Sequence, residues 1–106
     1  MKGMENNIKN RLSRFKPTKT TVFYFKEAMD ESVSRESYYI NEVLVEIYQY
    51  KKSSDAENKL KKIEGRKTPK ITFLKGVTGN FAYLIHSDRD SKKLAEKIAS
   101  AIAGEE

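Results

Sequence analysis

The stretch Ile40-Asn-Glu-Val-Leu-Val-Glu-Ile-Tyr-Gln-Tyr50 decides the predicted fold, because it has the pattern of one long strand. Successive residues of a strand point to opposite sides of a sheet. One face is aliphatic and carries Val43, Val45 and Ile47, while the other carries Leu44, Glu46, Tyr48 and Tyr50. A strand with large side chains on both faces is either central in the fold or presents one face as a binding surface. The sequence leaves both alternatives open.

Length and composition favour a single small domain over residues 1–106, with a basic N-terminal helix or arm at 1–19 and a short tail at 105–106. Hydrophobic residues make up 38% of the chain, which is enough to build a core. The absence of cysteine excludes disulfides and thiolate metal sites. Residues 1–20 contain no apolar run typical of a signal peptide, and no stretch approaches the ~20 apolar residues of a membrane span. We therefore expect a soluble, cytoplasmic protein.

The positive charge is concentrated in two segments. Residues 1–25 contain six basic side chains against one acidic, and residues 51–75 contain nine against three. Clustered positive charge attracts polyanions through long-range fields and counterion release. The alternative is a lysine-rich surface that only keeps the protein soluble.

An N-terminal helix is predicted by apolar residues spaced by four, four and three, which are Met4, Ile8, Leu12 and Phe15. Pro17 ends it, because the residue before a proline is pushed out of the helical region. The other sides of this helix hold its cations, Lys9, Arg11, Arg14 and Lys16. The helix either docks on the sheet by its apolar stripe or is a basic arm that orders on a partner, and the complete stripe favours docking.

A second strand is predicted at Thr20–Phe25, where β-branched and aromatic residues predominate. The segment Glu27–Ser37 has no convincing period and is interpreted as a long acidic turn. With Tyr38 and Tyr39 leading into the long strand, the simplest arrangement is one antiparallel hairpin.

A capped helix follows, because Ser54 and Glu57 have the spacing of a capping box. Ala56, Leu60 and Ile63 form its apolar stripe, and Gly65 is placed to end it in a left-handed conformation. Five cations lie in or just after its C-terminal half: Lys59, Lys61, Lys62, Arg66 and Lys67. Cations there complement the helix dipole, but five exceed what capping requires. This cluster is the strongest indication of a polyanion partner.

The last third of the chain predicts a second hairpin and a final helix. The hairpin has Ile71–Leu74 and Asn80–His86 as its strands and 75–80, with two glycines, as its loop. Ser87 and Asp90 are expected to cap the final helix and Gly104 to end it. Its apolar stripe is Leu94, Ala95, Ile98, Ala101 and Ile102.

The predicted fold class is α+β, with an N-terminal helix followed by two ββα units and a four-stranded antiparallel sheet that carries all the helices on one face. A weak internal repeat would send Ala82 and Leu84 of the last strand to the core. Side-chain bulk would instead send Phe81, Tyr83 and Ile85 there. The sequence does not decide between these two assignments.

The predicted function is binding of DNA or RNA by a small non-enzymatic accessory protein, through the lysine-rich helix and the N-terminal cations. The uncovered sheet face would display Tyr24, Tyr48 and Tyr50, which suits base stacking. A tyrosine-bearing face is equally typical of a dimer or subunit interface, so a protein-binding subunit is the alternative. His86, Ser87, Asp88 and Asp90 superficially offer catalytic groups, but neighbours at a strand end need not converge. We expect no catalysis, metal, cofactor or small-molecule substrate.

Overall fold

The strands and helices are taken from a computed structural model, which describes residues 2–24, 32–63 and 71–104 and the side chains of residues 8–24, 32–63 and 72–104. In chain order the elements are α1 (Lys2–Ser13), β1 (Thr18–Thr20), β2 (Ser34–Ile40), β3 (Val43–Gln49), α2 (Ser53–Lys62), β4 (Ile71–Thr78), β5 (Phe81–Asp88), a 3-10 turn (Arg89–Ser91) and α3 (Lys92–Ala103).

The strands form one antiparallel sheet in the order β1-β2-β3-β5-β4. The α+β class and the antiparallel sheet are therefore confirmed. The prediction of four strands is wrong, because the described residues form five.

The predicted long strand at residues 40–50 is wrong at its start. Ile40 ends β2 and pairs with Val43, the first residue of β3, so only Asn41 and Glu42 connect the two strands. Asn41 has a φ of 54°, a left-handed conformation that asparagine tolerates better than most residues and that two-residue hairpin turns require. Asn-Glu was the available sequence signal for this turn.

The first predicted hairpin is also wrong. The predicted strand Thr20–Phe25 is not formed over its described residues: β1 ends at Thr20, and residues 21–24 have no regular structure. Residues 34–37, predicted as part of the acidic turn, belong to β2, whose partner is β3. Residues 25–31 of the predicted strand and turn lie outside the described residues.

The second predicted hairpin is confirmed, but its loop is shorter than predicted. Lys75, Gly76, Val77 and Thr78 continue β4, and only residues 79 and 80 form the turn. Gly79 has a φ of 59°, a conformation that glycine adopts without steric cost.

The sheet carries helices on both faces, so the prediction that all helices share one face is wrong. On the first face, α1 and α3 pack against a core of buried side chains: Ile8, Leu12, Tyr38, Ile40, Val43, Val45, Ile47, Phe81, Tyr83, Ile85, Ala95, Ile98 and Ile102. On the second face, α2 packs against a separate cluster of Tyr48, Tyr50, Ala56, Ile63, Ala82 and Leu84, joined by the half-buried Phe23, Leu60, Phe73 and Val77.

These clusters decide which face of β5 enters the main core. Phe81, Tyr83 and Ile85 lie on the first face, which confirms the assignment by side-chain bulk. Ala82 and Leu84 lie under α2 on the second face. The internal-repeat argument is therefore wrong for this strand.

The helix ends differ from the predicted caps at three of four positions. At the start of α2 the N-cap is Lys52 rather than Ser54, and no side chain caps the helix there. At its end, Ile63 is in an extended conformation, so the helix stops before Gly65. Asp88 accepts a hydrogen bond from the Ser91 N–H at 2.9 Å and so caps the turn before α3, a role predicted for Ser87 and Asp90. Gly104 ends α3 with a φ of 76°, as predicted. Gly65 itself lies outside the described residues.

Candidate nucleic-acid interface

The cations of α2 lie on its solvent side because its apolar stripe is turned to the sheet. Ala56 is fully buried and Ile63 is 4% exposed, as the helical spacing predicts. Lys61 and Lys62 are exposed and Lys59 is partly exposed. We call Lys59, Lys61 and Lys62 the basic end of α2. Arg66 and Lys67, predicted to extend it, lie outside the described residues.

A further cation that the sequence did not single out lies beside the basic end of α2. Lys75 Nζ donates hydrogen bonds to the carbonyl oxygens of Leu60, at 3.0 Å, and Ile63, at 2.9 Å. These oxygens belong to the last turn of the helix, where the helix dipole favours positive charge. Sequence reasoning missed Lys75 because it was placed in a loop, whereas it lies on β4 with its side chain on the second face.

The N-terminal cations do not join this cluster. The apolar stripe of α1 is buried on the first face, so α1 and α2 lie on opposite sides of the sheet. Arg11 donates a hydrogen bond to the Ile102 carbonyl at 2.9 Å and thereby caps α3. Arg14 lies 4.7 Å from the centre of the Phe15 ring, and Lys16 is exposed. The structure thus separates the two predicted basic groups.

Glu36 offsets part of the charge on the first face. Its carboxylate lies 3.4 Å from Lys9 Nζ and 3.7 Å from Lys19 Nζ, and it accepts a hydrogen bond from the Tyr38 hydroxyl. Burial raises the pKa of Glu36, but the Tyr38 hydrogen bond and the two lysines outweigh it and hold that pKa below its usual value. Lys9 therefore already has an anionic partner within the chain.

The expectation that Tyr48 and Tyr50 are displayed on an open sheet face is wrong, because both side chains are fully buried beneath α2. The Tyr48 hydroxyl donates a hydrogen bond to Glu46, which is also fully buried. Burial raises the pKa of Tyr48, and the Glu46 hydrogen bond and charge raise it further, so the phenol stays neutral. These tyrosines belong to the buried cluster on the second face of the sheet.

Tyr24 is the predicted tyrosine that is exposed, with 67% of its surface accessible. Its backbone N–H donates to Glu46 Oε2 at 3.3 Å, and the neighbouring Phe23 packs against the cluster of the second face. The Tyr24 ring meets His86 edge to face, with 5.0 Å between ring centres. His86 in turn stacks on Phe73, with centres 5.4 Å apart. We call Tyr24, His86 and Phe73 the ring trio.

His86 is neutral at pH 7, because burial lowers its pKa to about 4. Its Nδ1 lies 3.6 Å from Glu46 Oε2, a contact that is therefore not an ion pair. Ser87 follows directly on β5, so its side chain points to the opposite face of the sheet. The arrangement does not bring the Ser87 hydroxyl to the imidazole, which is what nucleophilic catalysis would require.

Within the described ranges, the structure brings together no group of three His, Asp or Glu side chains suited to hold a metal ion. Over the same ranges, none of the helices combines the length and apolar character that crossing a membrane requires. Comparisons with protein-family models, with curated proteins and with solved structures found no match to this chain.

Proposed function

We propose that this protein is a small, basic, non-enzymatic accessory protein that binds DNA or RNA through the basic end of α2. One observation carries the proposal. Lys61 and Lys62 are exposed and form no ion pair within the part of the chain that the structure describes, so their charge is available to an external polyanion.

The neighbouring charges support this choice. Residues 51–63 contain five lysines against Asp55 and Glu57. Lys75 adds a positive charge at the end of α2. Arg66 and Lys67 belong to the sequence-based prediction of this cluster and lie outside the described residues. Several cations close together displace the counterions of a phosphate backbone, which favours binding at low salt.

The cations of α1 have a smaller part in this proposal. Arg11 caps α3 and Lys9 pairs with Glu36, and both lie on the face opposite α2. Binding to the α2 surface therefore does not draw directly on Lys9, Arg11, Arg14 or Lys16.

Titration of labelled single- and double-stranded oligonucleotides at several salt concentrations tests the proposal. Affinity is expected to fall steeply as salt rises, because counterion release dominates the binding of phosphates. Replacing Lys61→Gln and Lys62→Gln together is expected to weaken binding and to reduce the slope of log K against log salt by about 2, roughly one per lost phosphate contact.

The matched control is Lys92→Gln with Lys93→Gln, which removes two exposed lysines from α3 on the other side of the sheet. This control has the same net charge as the Lys61/Lys62 variant. Equal losses from the two variants would mean that net charge alone attracts the oligonucleotide. No binding by the unmodified protein at low salt would refute the proposal.

The alternative is a protein-binding subunit, and a different observation favours it. Among the residues whose side chains the structure describes, four large hydrophobic ones are exposed: Val22 at 40%, Tyr24 at 67%, Val33 at 53% and Tyr39 at 37%. Light scattering over a range of protein concentrations tests self-association. A dimer that Tyr24→Ser with Tyr39→Ser disrupts, in a protein that binds no oligonucleotide, would favour this alternative.

A further inference from the structure

We infer that the ligand of the basic end of α2 is single-stranded nucleic acid and that the exposed ring of Tyr24 stacks on one of its bases. This inference rests on the proposed function and adds to it the class of nucleic acid and the residue that selects it.

Tyr24 presents an aromatic surface that is held in place. Two-thirds of the residue's surface is exposed, yet its backbone is held by the hydrogen bond to Glu46 Oε2 and its ring contacts His86. The planes of the two rings cross at 71°, and an edge-to-face contact covers at most one face of the phenol. At least one face of the ring is therefore not covered by His86.

The ring trio lies on the same face of the sheet as α2 and its cations. Phe73 stacks on His86 at an interplanar angle of 25°. Phe73 and Lys75 are alternate residues of β4, so both point to the second face and lie about 7 Å apart along the strand. Lys75 Nζ contacts the last turn of α2. The ring trio thus lies on the same sheet face as α2, and β4 connects Phe73 of the trio to Lys75 at the last turn of that helix.

This juxtaposition distinguishes single strands from duplexes. A duplex offers α2 its phosphates, but the faces of its bases are already stacked on one another. A single strand offers both phosphates and free base faces, which stack on aromatic side chains irrespective of sequence. The lysines also specify an anionic partner, which an apolar protein surface does not satisfy.

The test compares an oligothymidylate of about 12 nucleotides, within the ~4–16 that single-strand-binding folds cover, with a duplex of the same length. Tyr24→Ala is expected to weaken single-strand binding by about 5-fold to 150-fold, the range for loss of one stacked base. It is expected to leave duplex binding unchanged. Tyr24→Phe retains the ring and is expected to stay within about 2-fold of the unmodified protein, while Tyr39→Ala is the matched control for loss of another exposed tyrosine.

A spectroscopic test is independent of affinity. The chain contains no tryptophan, so Tyr24→Trp introduces a single tryptophan at the proposed stacking position, and this residue can be excited at wavelengths where tyrosine does not absorb. Its fluorescence is expected to be quenched by the single strand and not by the duplex.

The outcomes separate this inference from the function on which it rests. If Lys61→Gln with Lys62→Gln weakens binding but Tyr24→Ala does not, the lysine surface stands and stacking on Tyr24 is refuted. If neither variant changes oligonucleotide binding, both proposals fail. Self-association that requires Tyr24, without oligonucleotide binding, would overturn the inference in favour of a second copy of the chain as the partner.

Discussion

The phenol of Tyr48 donates a hydrogen bond to the carboxylate of Glu46, two residues earlier on β3, and both side chains are fully buried. The same carboxylate accepts the backbone N–H of Tyr24 through its other oxygen. Glu46 thus links the strand at the centre of the sheet to the segment that crosses over it. Burying a carboxylate costs free energy unless hydrogen bonds compensate it, so this link is a sensitive point of the fold.

Tyr48→Phe is expected to lower the free energy of unfolding by about 1–3 kcal/mol, because the buried carboxylate loses a donor while the ring keeps its volume. Urea denaturation followed by circular dichroism measures this change. Tyr39→Phe is the matched control; that side chain is 37% exposed, and its substitution is expected to stay within about 0.5 kcal/mol. Equal effects from the two variants would contradict the structural role of Glu46 and Tyr48.

Gly76→Ala is expected to destabilise the protein by about 1–3 kcal/mol, the usual cost of overpacking. Gly76 pairs with Tyr83 across β4 and β5, and a Cβ on Gly76 would lie 2.7 Å from Cε2 of the Tyr83 ring. Combining the substitution with Tyr83→Leu removes the ring, so Gly76→Ala is expected to cost less in that background. An identical loss of stability in both backgrounds would show that the overlap between the new Cβ and the Tyr83 ring does not cause the destabilisation.

Stability is expected to decline as the pH falls from about 7.5 to 5. The folded-state pKa of His86 is about 4, whereas an unfolded histidine titrates near 6.5. Between these values the unfolded chain binds the extra proton, which favours unfolding. The free energy of unfolding, measured by urea denaturation at a series of pH values, reports this decline.

His86→Phe keeps an aromatic ring against Phe73 and removes the titration, so it is expected to flatten the pH dependence in this range. Glu36, whose pKa is lowered, contributes only at more acidic pH. An equally steep decline in His86→Phe would assign the effect to another group.

Arg11→Gln is expected to reduce stability by about 1 kcal/mol, because the charged hydrogen bond to the Ile102 carbonyl is lost at a partly exposed helix end. Its effect on oligonucleotide affinity is expected to be within about 2-fold of that of Lys97→Gln, an exposed control on α3. A tenfold specific loss of affinity with unchanged stability would instead place Arg11 in the binding surface.

The elements were predictable where the signal is local. The apolar stripes predicted the buried residues Ile8 and Leu12 of α1 and the buried residues of α2 and α3, since each stripe depends only on the geometry of its own helix. On β3 the alternation identified Val43, Val45 and Ile47 as core residues, but it did not reveal that Leu44, Glu46 and Tyr48 on the other face are buried as well. The predictions were wrong where a short signal competed with a longer pattern. Asn41 and Glu42 interrupt a run of strand-forming residues, and the apolar pattern of 40–50 concealed this two-residue turn. Part of the candidate site was predictable for the same reason, because the apolar stripe of α2 predicts that its lysines lie on the solvent side. Lys75 was missed, because the sequence analysis placed it in the hairpin loop and not on β4.

The sequence by itself determined the α+β class, the three helices and the accumulation of positive charge in two segments. Only the tertiary structure decided which sheet face each helix covers, because β3 has large side chains on both faces and its pattern permits either arrangement. With α2 on the second face, Tyr48 and Tyr50 become core residues and Tyr24 remains exposed. The same packing places the cations of α1 and α2 on opposite sides of the sheet. These relationships arise from contacts between residues distant in the chain, which no local period encodes.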